Sequence, residues 1–218
     1  MFVGHYAVAF AAKRAAPRIS LGTLVLAALF VDLLWPLFLL LGIEQVRIVS
    51  SAVPFDRLEF TNYPLSHSLL CAFAWSLLLG GLTLRIRRSF RDAIVVGLTG
   101  LSHWVLDLLS HHPDLPLLPG AGLRVGLGLW SSVPLTILVE TGMVVAGIAV
   151  YLRATRPLDR TGSIAFCFYI AFLTGLYVGN LLGPPPPDVT SIAIAGLGSW
   201  LFVAWAYWID RHRTSRIS

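Results

Sequence analysis

Residues 99–114 read TGLSHWVLDLLSHHPD. Wound as a helix, this stretch sets His103, Asp107 and His111 at i, i+4 and i+8, so that three side chains of metal-ligating type share one face. The residues between them, Trp104, Val105, Leu106, Leu108 and Leu109, are apolar. A helix this greasy lies in protein core or in lipid, where an ionisable group is costly and usually functional.

Composition decides between the two. Hydrophobic residues make up 56% of the chain and charged residues 12%, the mean hydropathy is +0.78, and the sequence contains apolar runs long enough to cross a bilayer. The expected fold is an all-α polytopic membrane protein of about six transmembrane helices, and a soluble core of this size is excluded. Cys71 and Cys167 fall inside expected spans, where they read as small buried hydrophobes and not as a disulfide framework. The N-terminus has no basic region before its short apolar run, so a cleaved signal peptide is not expected.

The segment FVGHYAVAFAA (2–12) is too short to cross and ends at Lys13 and Arg14; it reads as a half-length helix carrying His5. The first full span, 19–43, has Asp32 near its middle and Pro36 one turn later. Proline cannot donate to the carbonyl of residue 32, which predicts a local kink beside the acid. A mixed polar connection over 44–63 leads to a second span, 64–84, with His67 near its start. The third span runs from about 92 to 110. A Pro- and Gly-rich loop then precedes the fourth, 131–152, which contains Glu140. The fifth covers 163–182 and the sixth 189–209, joined by GPPPPD. No internal repeat is visible, so residues 1–218 read as a single integral membrane domain. Within it, 1–130 carry the metal-site part and 131–218 add further helices.

Thirteen of the sixteen Lys and Arg residues fall in connections on one side of these spans, and only Arg47, Arg57 and Arg124 on the other. The excess of cationic residues marks the cytoplasmic side, so both termini are expected in the cytoplasm. The sequence pI of about 9.7 is thereby explained without a nucleic-acid partner. The partner implied is the lipid bilayer.

At a rise of about 1.5 Å per residue from the last basic residue, His5, His103, Glu140, Asp32, Asp107 and His67 come out between about 12 and about 27 Å deep. Six ionisable residues from five segments therefore share one layer, in which no Lys or Arg is expected. Asp32, Asp107 and Glu140 lack a protein counter-charge there. Either they are protonated, or one or two metal cations balance them. The candidate ligands are His5, Asp32, His67, His103 and Asp107. A mixed His and carboxylate set suits zinc, with manganese and iron as alternatives. Glu140 is open to three roles, ligand, general base or protonated packing residue. His111, His112 and Asp114 lie at the outer mouth, where solvation alone accounts for them, and His212 belongs to a solvated tail. Ser66 and Ser102 each precede a candidate ligand and read as supporting donors or as packing residues.

Four elements in this order, Gly4–His5, VDLLWP (31–36), SHSLL (66–70) and SHWVLDLLSHHPDLPLLPG (102–120), resemble the YdjM-like family of predicted metal-dependent hydrolases of the bacterial inner membrane. The resemblance covers about the first 120 residues. It implies a membrane-embedded metal site built from His5, Asp32, His67, His103 and Asp107. The chain departs from the family at Leu34 and Trp35, where a second acid and a histidine are common, and at Asn62, Tyr63 and Pro64, where a His-Arg-Gly segment is common.

The activity expected on that basis is metal-dependent hydrolysis of an ester or phosphoester in an amphiphilic small-molecule substrate. Access is from the extracytoplasmic side, and Glu140 serves as the catalytic base. The rival readings are a proton- or ion-coupled transporter, which also places acids and histidines at the midplane, a b-type haem protein with paired histidines, and a structural membrane protein without catalysis.

Overall fold

A computed structural model describes residues 1–120 and 122–216. It opens with α1 (Val3–Ala15), a 13-residue helix, followed by α2 (Leu21–Leu40). Next come the hairpin β1 (Gln45–Ile48) and β2 (Leu58–Asn62), the single turn α3 (Pro64–His67), and α4 (Leu69–Arg87) and α5 (Phe90–Ser110). A small ladder of β3 (Leu115–Pro116) and β4 (Arg124–Val125) leads into α6 (Val133–Ala154). Then follow β5 (Thr155–Pro157), α7 (Arg160–Leu182), α8 (Val189–Leu197), α9 (Ser199–Arg211) and β6 (Arg213–Ser215).

Six helices among the described residues are long and apolar enough to cross a membrane: α2, α4, α5, α6, α7 and the pair α8–α9 taken together. Leu77, Leu82, Leu98, Leu138, Phe168 and Leu201 are exposed on their outer faces. In water this would be a large cost, whereas against hydrocarbon it is the expected outer surface. Helix ends are closed by local chemistry. Ser20, Ser68, Ser89, Asp159 and Asp188 each accept a backbone N–H of the first turn of α2, α4, α5, α7 and α8 respectively, which satisfies donors that lipid cannot.

Helix α2 is the hub, packed against α1, α5, α8 and α9. Leu21, Leu24, Val25, Ala28 and Leu33 of α2 are buried in one core with Tyr6 and Phe10 of α1 and Tyr151, Tyr169 and Phe202 of the later helices. Where helices approach most closely, the contact residue is glycine. A Cβ on Gly147 of α6 would lie 2.5 Å from the Ala7 carbonyl oxygen of α1, and one on Gly80 of α4 would lie 3.0 Å from that of Ala93 on α5. Small residues let backbones meet where no hydrophobic force drives association.

Three features depart from a plain helical reading. The connection over 44–63 is ordered as the antiparallel β1–β2 hairpin, with Val46 opposite Phe60 and both packed toward Trp35 and α8. The second span does not run on from residue 64. It breaks at Ser68, whose extended backbone ends α3 while its hydroxyl caps α4. The sixth span is split at Gly198, two residues after Gly196 meets the ring of Pro36.

Candidate metal centre

The candidate residues arrive from four elements. His5 lies in the first turn of α1, Asp32 on α2 one turn before Pro36, His67 on the last residue of α3, and His103 and Asp107 one turn apart on α5. The break at Ser68 gives His67 a backbone direction that a continuous helix would not.

All five meet. His103 Nε2 lies 3.0 Å from Asp107 Oδ2 and 3.5 Å from Asp32 Oδ1. His67 Nε2 lies 3.2 Å from Asp32 Oδ1 and 3.8 Å from Asp107 Oδ2, and His5 Nε2 is 3.2 Å from Asp107 Oδ1. The rings of His5 and His103 stack in parallel, with centroids 3.7 Å apart. The atoms form two overlapping triads, His5–His103–Asp107 and Asp32–His67–His103, each with its ligand atoms within 4.8 Å of one another. His103 belongs to both.

The second nitrogen of each of two rings fixes its tautomer. His103 Nδ1 is 2.7 Å from the Ala28 carbonyl oxygen. A carbonyl can only accept, so Nδ1 carries the proton and Nε2 is the atom that faces the carboxylates. At His67 the link is longer. Glu44 accepts from the Ser66 hydroxyl at 2.6 Å and from the amides of Leu65 and Ser66 at 2.8 Å. Having donated to Glu44, the Ser66 oxygen accepts from His67 Nδ1 at 2.6 Å, and His67 Nε2 is turned to Asp32 Oδ1 at 3.2 Å. Carboxylate-to-histidine links of this kind orient metal ligands. Among the described residues, neither His103 Nε2 nor either nitrogen of His5 has a hydrogen-bond partner, although all three are buried. Imidazole nitrogens and carboxylate oxygens converging in this way are of metal-ligating type, so the buried cluster can hold a metal ion.

The side chains of His5, His67, His103 and Asp107 are at most 5% exposed, whereas that of Asp32 is 37% exposed. Asp32 is therefore the member of the five most accessible from outside.

Glu140 has a different employment from the base expected of it. It is fully buried on α6 and accepts the amides of Phe2, Val3 and Gly4 at 3.0, 2.7 and 3.2 Å. Helix α1 begins inside the protein without a side-chain cap of its own, and Glu140 supplies the missing acceptor at the positive end of the helix dipole. One of the three carboxylates that lacked a counter-charge is thus balanced by backbone. The backbone nitrogen of Met1 reaches Asp107 Oδ1 and Ser110 Oγ.

His111 leaves the shared face of α5. It caps the helix, its Nδ1 lies 3.1 Å from Asp114, and its ring packs against Trp130 and Phe60. Tyr63 donates to the same Asp114 oxygen at 3.1 Å. His111 is drawn below the usual histidine range, chiefly by burial. His112 sits 2.8 Å from Asp56. These residues roof the hairpin end and do not join the metal cluster. Ser102 donates to the Thr99 carbonyl within its own helix, and His212 pairs with Asp159 at the opposite end.

Sequence reading missed Glu44, which looks like an ordinary loop acid until the hairpin carries it under α3. The role of Glu140 did have a signal. A helix whose start is buried, with no Ser, Thr, Asp or Asn at its head, must borrow an acceptor.

No protein-family model matches the chain, and neither does any characterised protein or solved structure.

Proposed function

We propose that the chain is a membrane-embedded metal-dependent hydrolase acting on an ester or phosphoester of an amphiphilic substrate. The observation that carries this reading is the convergence of three imidazoles and two carboxylates on one point, four of them buried and Asp32 half-buried. The SHSLL and SHWVLD elements, which resemble the YdjM-like family, lie at that point and support the same reading. A divalent cation held there, zinc by donor type, supplies a Lewis acid and lowers the pKa of a bound water. The remaining work falls to the chain. Ala28 O and the Ser66–Glu44 pair orient His103 and His67. Asp32, the most accessible of the five, is our candidate proton acceptor in place of Glu140, whose oxygens accept the α1 amides.

The basic residues gather at the β5–β6 end, which by the positive-inside rule is cytoplasmic in a bacterial inner membrane. The hairpin end then faces outward, and the substrate enters from that side or from the outer leaflet.

The test is elemental analysis of detergent-purified protein, followed by a hydrolysis assay on long-chain nitrophenyl phosphoesters and esters in mixed micelles. Stoichiometric metal that is lost in His103→Ala, with release of nitrophenol that chelation abolishes, supports the proposal. Full metal content in His103→Ala, or hydrolysis indifferent to chelation, overturns it.

A further inference from the structure

At the end of the molecule remote from the hairpins, α6 and α7 part around a groove of about 590 Å³. Its walls are apolar, with Leu152, Phe166 and Ile170 among them, and its head is formed by Thr155, Arg213 and Arg216. Leu152 and the neighbouring Phe168 are exposed, so the groove is continuous with the lipid-facing surface.

Arg213 is only 6% exposed, yet among the described residues every hydrogen-bond partner of its side chain is neutral. Its Nε and Nη2 donate to Thr155 Oγ1 at 3.4 and 3.1 Å and its Nη1 to the Gly162 carbonyl at 3.2 Å. Its guanidinium carbon lies 5.3 Å from the ring centroids of Tyr151 and Phe166. Among the described residues no carboxylate comes within ion-pair distance of Arg213 or Arg216. Two acids at this end of the molecule are engaged elsewhere, Asp210 with Lys13 and Asp159 with His212. Both arginines are nevertheless held in place. Arg213 stands opposite Pro157 in the β5–β6 ladder, and Arg216 is tied through its backbone to Ala154 and through Nε to Thr155.

A buried guanidinium without an anion is costly, and three hydrogen bonds leave two of its five N–H groups to spare. We propose that this groove binds one anionic phospholipid, with its phosphate on Arg213 and Arg216 and an acyl chain along Leu152, Phe166 and Ile170. The charge of the head and the apolarity of the walls together select an amphiphile. The planar donor fork of arginine matches a phosphate. The site shares no residue with the metal centre and stands whatever the centre does.

The experiment is intact-complex mass spectrometry of the full chain in detergent, with phosphatidylglycerol, phosphatidylcholine or inorganic phosphate added in turn. One phosphatidylglycerol is retained about tenfold better than phosphatidylcholine, the scale of a charge-assisted contact, and inorganic phosphate does not displace it. Arg216→Gln at the exposed head and Cys167→Trp in the exposed wall each reduce retention by about tenfold, with melting temperature unchanged. Equal retention of the two lipids, undiminished phosphatidylglycerol in both variants, or displacement by inorganic phosphate overturns the proposal.

Discussion

The carboxylate of Glu140 accepts the amide of Val3 at 2.7 Å, joining the first half of α6 to the start of α1 two residues from His5. A buried acid and an uncapped helix start cancel each other, and that cancellation holds a candidate ligand in position. Replacing Glu140 by Ala removes an acceptor shared by three amides, each worth about 1.5–3 kcal/mol when bonded to a charged group. The expected loss is about 3 kcal/mol or more of stability, together with metal content. Glu140→Gln keeps an acceptor oxygen and loses less. Thermal unfolding in detergent, read beside elemental analysis, checks both, and a fully metallated Glu140→Ala protein of normal stability would contradict the assignment.

A bound ion that recognises only the folded centre must also stabilise it. At a hundredfold excess over its dissociation constant the gain is about 2.7 kcal/mol. Chelation should lower the melting temperature of the native chain and leave that of His103→Ala unmoved, because His103 belongs to both triads. An equal drop in the two proteins would show that the chelator acts elsewhere.

Ser66 separates two functions that a ligand substitution would merge. Its hydroxyl bridges Glu44 and His67 Nδ1 but does not point into the centre. Ser66→Ala frees the imidazole to rotate and to take the other tautomer, so metal affinity should fall about 10- to 100-fold, the usual effect of losing an outer hydrogen bond. Competition with a chromophoric chelator measures it. Affinity equal to that of the native chain would mean that packing against Tyr63 and Trp35, and not the hydroxyl, orients the ring.

Six spans and the five clustered residues were legible in the sequence because both rest on one-dimensional rules. Apolar length fixes a span, and helical spacing together with depth puts His103, Asp107, Asp32, His67 and His5 in one layer. What those rules could not reach was set by contacts between distant segments. Glu44 becomes a support for His67 only when the β1–β2 hairpin brings it beneath α3. His111 falls on the same helical face as His103 by count, but α5 ends at Ser110 and Trp130 and Asp114 take its ring. Glu140 reads from the sequence as ligand, base or packing residue, and its contact with the start of α1 is not foreseen there, since position along one helix does not say which helix start lies across from it. The contact of Gly196 with the Pro36 ring, two residues before the break at Gly198, joins segments that periodicity cannot pair.

The closeness of α1 and α6 offers a test that touches no ionisable group. A Cβ at Gly147 would come within 2.5 Å of the Ala7 carbonyl oxygen, which is backbone and cannot swing aside, whereas a Cβ at Gly81 meets nothing within 4 Å. Gly147→Val must therefore push the helices apart, at an overpacking cost of about 1–3 kcal/mol. The displacement carries a second consequence, because α1 bears His5 and the amides bound to Glu140. Metal content should fall along with the melting temperature in Gly147→Val, while Gly81→Val loses neither. If Gly147→Val melted early and yet kept its full complement of metal, the position of α1 would be irrelevant to the centre, and His5 would have to be struck from the ligand set.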